Sequence, residues 1–122
     1  MRILVLVDDG RRREESILLV EALSKKMIKY NENDFDEIMP AFLEFASPSI
    51  PEAIKKCSEL GASNVTVLPY FLSAGVHINT DIPGEVKDAS EGFPNLDITI
   101  SNYFGSRDEI AELLMKTALD VT

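Results

Sequence analysis

The run Ile3-Leu4-Val5-Leu6-Val7 is apolar at every position. A strand with one wet face alternates apolar and polar residues. A strand without alternation is covered on both faces. The chain therefore needs a layered architecture, with helices above and below a sheet. The following segments have the periods such layers require. "REESILLVEALSKKMIKY", Arg13 to Tyr30, spaces Ile17, Val20, Leu23 and Met27 along one helical stripe, and its lysines lie where the helix dipole favours cations. "DEIMPAFLEF", residues 36–45, reads as a second strand, with Pro40 suited to a sheet edge.

The alternation continues. "SPSIPEAIKKCSEL", residues 47–60, opens with residues suited to a first turn, aligns Ile50, Ala53, Ile54, Cys57 and Leu60 on one face, and is stopped by Gly61. "NVTVLPYFL", residues 64–72, is a third strand. "NTDIPGEVKDAS", residues 79–90, is a weaker helix, lowered in propensity by Pro83 and Gly84. "LDITIS" is a fourth strand, and "SRDEIAELLMKTAL" a last helix opened by a capping box from Ser106 to Glu109. Four strand–helix repeats predict an α/β domain: a four-stranded parallel sheet with helices on both faces. At 122 residues, 1–122 is expected to be one domain.

Bulk properties exclude several functions. The net charge of −9 argues against non-specific nucleic-acid binding, because phosphates would be repelled. No apolar run approaches ~18 residues, so no membrane span is expected. Acids follow the opening strand at once, so no secretory leader is read and a cytoplasmic location is the expectation. The one cysteine, Cys57, continues an apolar helix face and is expected in the core.

In parallel sheets, ligands sit beyond the carboxyl ends of the strands. That edge comprises residues 8–13, 44–47, 72–80 and 101–106. The first holds Asp8 and Asp9, an acidic pair like that of a phosphoryl-accepting receiver domain. A receiver also needs an acid ending its third strand and a lysine ending its fifth. Here the third strand ends in "LPYFLSAG", and no lysine follows the last of four strands. The pair is thus part of a different site.

His77, the only histidine, lies on this edge two residues after Gly75, a residue that permits close backbone approach, with Asp81 four residues on. Neutral imidazole is both a metal ligand and a proton acceptor near neutral pH. The stretch "LPYFLSAGVHINTDIP" resembles the small sirohydrochlorin chelatases of the CbiX/SirB type. So do "AFLEFASPSIPEAI", with Glu44 ending the strand, and, more weakly, the closing "GSRDEIAELL". The matches keep the family's order across nearly the whole chain.

The resemblance implies a chelatase-like (flavodoxin-like) half-unit that inserts a divalent metal, Co²⁺, Ni²⁺ or Fe²⁺, into sirohydrochlorin or a related tetrapyrrole. It implies a homodimer with its site in a cleft, and no organic cofactor. His77 and Glu44 would be the catalytic residues, and His77, Asp9 and Glu44 the metal ligands. Asp9 stands where the family has its first histidine, and a carboxylate is a harder ligand than imidazole. The alternative is a non-catalytic tetrapyrrole- or metal-binding relative. Arg11, Arg12 and Arg13 either pair with nearby acids or grip substrate carboxylates. Tyr70 and Gly75 complete the expected substrate contacts. Phe71, Tyr103 and Phe104 belong to the core or stack on a macrocycle. Asp81 is expected to favour the amino terminus of the following helix rather than to touch metal.

Overall fold

A computed structural model describes residues 1–10 and 14–121. These residues form strands β1 (Arg2–Asp8), β2 (Glu37–Phe42), β3 (Asn64–Pro69) and β4 (Asp97–Ile100). They also form helices α1 (Glu14–Met27), α2 (Ile50–Glu59), α3 (Ile82–Ser90) and α4 (Glu109–Leu119). The strands run parallel in the order β2-β1-β3-β4. β1 lies inside the sheet, which is why it is buried from Ile3 through Asp8. β2 is an edge strand, so Pro40 leaves no vacancy in an inner ladder.

Two cores flank the sheet. On one face Ile3, Val5, Val7, Val65 and Val67 meet Ile50, Ala53, Ile54 and Cys57 of α2 and Ile82 and Val86 of α3. Cys57 is fully buried, as expected, and burial pushes its thiol up to about 11. On the other face Leu6 and Phe42 meet Val20 of α1, with Ile17, Leu23 and Met27 packed around them. That is the stripe the spacing predicts. Strand β1 leads to β2 through α1, and β3 leads to β4 through α3 on the opposite face. The carboxyl ends of β1 and β3 therefore flank the switch point where open sheets of this kind bind ligands.

The helix starts differ in quality. Ser49 caps α2 with a complete capping box: its Oγ accepts from the Glu52 N–H at 3.2 Å, and the Glu52 carboxylate accepts from the Ser49 N–H at 2.9 Å. The box expected from Ser106 to Glu109 does not form. Ser106 lies in a 3₁₀ turn and its hydroxyl donates to the Tyr103 carbonyl, while Glu109 pairs with Arg107 at 2.7 Å. The helix starts only at Glu109, too late for that serine to cap it. α4 has no buried residue and makes no substantial contact with another described element. No described helix is long and apolar enough to cross a membrane.

Candidate functional site at the carboxyl edge of the sheet

The first two strand ends are laced together through their backbones. The Leu43 N–H donates to the Asp8 carbonyl at 2.9 Å, and the Glu44 N–H to the Asp9 carbonyl at 2.8 Å. Gly10 makes this approach possible. Its φ is +80°, and a Cβ there would collide with the Glu44 carbonyl oxygen. Asp9 and Glu44 thus leave neighbouring points of one edge, both half-buried. Asp8 is buried, and its carboxylate faces the Gly10 N–H at a long 3.5 Å.

The third strand end is tied in from both sides. The Tyr70 N–H donates to the Val7 carbonyl at 2.7 Å, and the Gly105 N–H to the Phe71 carbonyl at 2.8 Å. Gly105 sits so close to the Leu72 backbone that no side chain fits there. Tyr70 and Phe104 meet ring to ring with centroids 5.8 Å apart, so both are half-buried packing residues at the rim. Gly75 behaves otherwise than its sequence context suggests: open space surrounds its Cβ position. Its carbonyl instead accepts from the Asn79 N–H at 2.8 Å and starts the turn that carries the histidine.

That turn is a π-helical segment, His77–Asp81, closed by the Ile82 N–H bonding back to the His77 carbonyl. Such widened turns recur at functional positions. The turn supplies the amino-terminal environment of α3, so Asp81 is not needed as a cap and makes no capping bond. The expectation that Asp81 serves the helix start is therefore corrected. Its Oδ2 lies 2.8 Å from His77 Nδ1. The imidazole also packs against Phe71, with ring centroids 5.7 Å apart.

Two cavities open on this edge. One of about 260 Å³ lies at the switch point and is lined by Asp8, Asp9, Tyr70 and Phe71 among others. The other, about 420 Å³, is lined by Glu44, Asp81, Glu85 and Asp88 among others. His77 touches Phe71 of the first and Asp81 of the second. Burial, and then the nearby charges of Asp81, Glu44 and Asp88, push the Glu85 carboxyl above the usual carboxylate range. Glu85 and Asp88 escaped the sequence reading. Their spacing from Asp81, at i+4 and i+7, would have placed all three on one helix face.

Asp9, Glu44 and Tyr70 thus follow adjoining strand ends, while Gly75 and His77 lie on the segment between β3 and α3. Among the described residues, no group of three or more histidines, cysteines and acids is close enough to hold a metal ion. Arg11, Arg12 and Arg13, expected to grip carboxylates, lie outside the described residues. Exposed apolar side chains surround the edge: Phe45, Leu72 and Val76. Phe45 adopts a left-handed backbone, φ +58°, a costly conformation for an aromatic residue and one that clusters at binding sites.

Known proteins resemble this chain in sequence and in fold. A chloroplastic sirohydrochlorin ferrochelatase from Arabidopsis thaliana is 35% identical over 111 residues, covering 91% of this chain and 48% of that protein. A sirohydrochlorin cobaltochelatase from Methanocaldococcus jannaschii is 39% identical over 94 residues, covering 75% of this chain and 64% of that protein. The chain thus spans from just under half to just under two thirds of the length of these relatives. Among solved structures, the sirohydrochlorin chelatase SirB of Bacillus subtilis subspecies spizizenii, in complex with cobalt, superposes with a TM-score of 0.88 at 22% identity. The match covers 98% of this chain and 50% of that one. A CbiX protein from Marinobacter aquaeolei VT8 superposes with a TM-score of 0.84 at 18% identity, covering 98% of this chain and 96% of that one. At such identities the structural likeness speaks for the fold. The CbiX family model matches residues 3–121, which include every described strand end of the site, and the chain belongs to that family.

Proposed function

We propose that this chain inserts a divalent metal ion, Co²⁺, Ni²⁺ or Fe²⁺, into sirohydrochlorin or a closely related tetrapyrrole. The observation that carries the reading is the position of its one histidine. His77 stands at the carboxyl edge of a CbiX-family sheet, between two cavities lined by acids. The relatives named above as sirohydrochlorin ferrochelatase and cobaltochelatase support the substrate class. Insertion exchanges two pyrrole N–H protons for one dication. It needs a ligand that holds the metal substrate loosely and bases that accept protons. His77 suits both tasks, Glu44 is its helper, and Asp9 adds a carboxylate ligand. The exposed Phe45, Leu72 and Val76 offer apolar contact to a flat macrocycle. No organic cofactor enters the scheme.

The working unit in this proposal is a pair of copies. The chain matches 50% of the cobalt-bound SirB chain and 96% of the Marinobacter aquaeolei CbiX chain. Leu113, Leu114, Met115 and Leu119 of α4 are all more than half exposed, which gives that copy an apolar surface to cover. An incomplete site in one chain accords with this reading, since no set of three ligands is assembled among the described residues.

The test is to incubate the protein with sirohydrochlorin and Co²⁺ or Ni²⁺ and to follow the visible spectrum against a protein-free control. Acceleration is expected, with at least a 100-fold loss in His77→Ala, on the order expected for removing a key acid–base group. No acceleration with Co²⁺, Ni²⁺ or, under anaerobic conditions, Fe²⁺ sinks the enzymatic reading. Tight tetrapyrrole binding without acceleration establishes instead the non-catalytic reading, which the acid at Asp9 in place of a family histidine favours.

A further inference from the structure

The bond between Asp81 and His77 has a chemical consequence. A neutral imidazole carries one proton and one free lone pair, on different nitrogens. Which nitrogen is free depends on where the proton is held. Asp81 Oδ2 stands 2.8 Å from Nδ1, and both side chains are partly sheltered from water, at 29% and 37% exposure. A carboxylate at that distance accepts a hydrogen bond and cannot share Nδ1 as a second lone pair without repulsion. Phe71 lies against the ring and restricts its tilt. The turn fixes the spacing, because His77 and Asp81 are its first and last residues.

We propose that Asp81 is a positioning residue. By accepting the Nδ1–H bond it holds neutral His77 in the tautomer whose bare nitrogen is Nε2, the nitrogen left to meet the metal substrate. This inference rests on the reading of His77 as the metal-handling imidazole. A carboxylate behind a ligating histidine fixes ring orientation and raises ligand basicity, and losing such a partner typically costs about 10- to 100-fold in metal affinity. A pair serving only to stabilise the turn would also bias the tautomer but would leave Ni²⁺ affinity unchanged in Asp81→Ala, and that result overturns the positioning role.

The chain has a single histidine, so its ¹⁵N signals need no assignment. Long-range proton–nitrogen spectra of ¹⁵N-histidine-labelled protein, taken well above the usual imidazole range, report the tautomer without metal or tetrapyrrole. The parent is expected to be mainly Nδ1–H. Asp81→Ala is expected to move toward the Nε2–H form that unconstrained side chains favour and to weaken Ni²⁺ binding by about 10- to 100-fold in calorimetry. Asp81→Asn keeps an oxygen acceptor at the same reach and should recover part of the Nδ1–H bias. It also guards against a folding defect in the alanine variant. An Nε2–H majority in the parent, or an unchanged spectrum in Asp81→Ala, overturns the proposal. A parent that fails to metallate sirohydrochlorin but shows the Asp81-dependent tautomer would overturn the chelatase reading alone.

Discussion

The two faces of the sheet are finished to different degrees. On the α2/α3 face, a continuous set of side chains from β1, β3 and both helices is buried, and Ile3, Ile54, Cys57, Val65 and Val67 are fully closed to water. On the α1 face, the buried cluster of described residues is Leu6, Val20 and Phe42. Its buried members come from β1, β2 and α1, with Leu68 and Tyr70 packed against them. Leu68 of β3 is half-buried there, Thr99 of β4 is exposed, and so are Leu18 and Leu19 on α1. The helix that follows β4, which in open sheets commonly returns to cover such a face, carries its leucines in water. One face is thus closed among the described residues. The other is left open there, and the pairing proposed above would cover it.

The largest expected effect tests the finished face. Ile54 is fully buried in the middle of α2. Ile54→Ala should lower the unfolding free energy by about 2–5 kcal/mol in urea titrations, combining lost transfer energy with a residual cavity. Leu18→Ala, on the exposed side of α1, should change it by less than about 0.5 kcal/mol when measured on separated chains. Similar costs at the two sites would erase the contrast between the faces.

The open face gives the next prediction. Two charges placed on α4, Leu113→Glu with Leu114→Glu, should leave helix content intact and raise the dimer dissociation constant by on the order of 100-fold, about 2.8 kcal/mol. Sedimentation at micromolar concentration reads the outcome. A parent that sediments as a monomer, or a charged variant that still pairs as tightly as the parent, would show that α4 is not the covering surface.

The contrast also explains what was legible in the sequence. The fully apolar β1 and the stripes of α1 and α2 announced a buried parallel sheet, because hydrophobic period reports burial directly. His77, Glu44 and Asp9 are candidates by the rule that strand carboxyl ends bear ligands, together with the family resemblance. Tertiary context decided the rest. Ser106 and Glu109 had capping-box spacing, yet the chain makes a 3₁₀ turn first and Arg107 takes the glutamate. Asp81 preceded a helix and had the chemistry of a cap, but a widened turn brought the imidazole to it. Gly75 looked like a place of close approach, a role that Gly10 and Gly105 fill. Ser106, Glu109 and Asp81 each have more than one available partner, and local sequence does not rank them.

The smallest effect concerns a flaw at the rim of the finished face. Glu85, on α3, is partly desolvated and faces the charges of Asp81, Glu44 and Asp88, so its folded carboxyl titrates above the ordinary glutamate value. A raised folded value means that the folded state binds this proton more tightly than the unfolded chain does. Ionised Glu85 therefore costs stability at neutral pH. That cost fades as pH falls through the raised value and is gone below the ordinary one. Glu85→Gln is neutral throughout and should be slightly more stable than the parent at pH 7, with the advantage shrinking to nothing in mild acid. Paired thermal melts of parent and variant across that range read the effect. A variant less stable than the parent at pH 7 would mean that Glu85 is held by a favourable partner, and that the acidic cavity is not the strained part of an otherwise closed face.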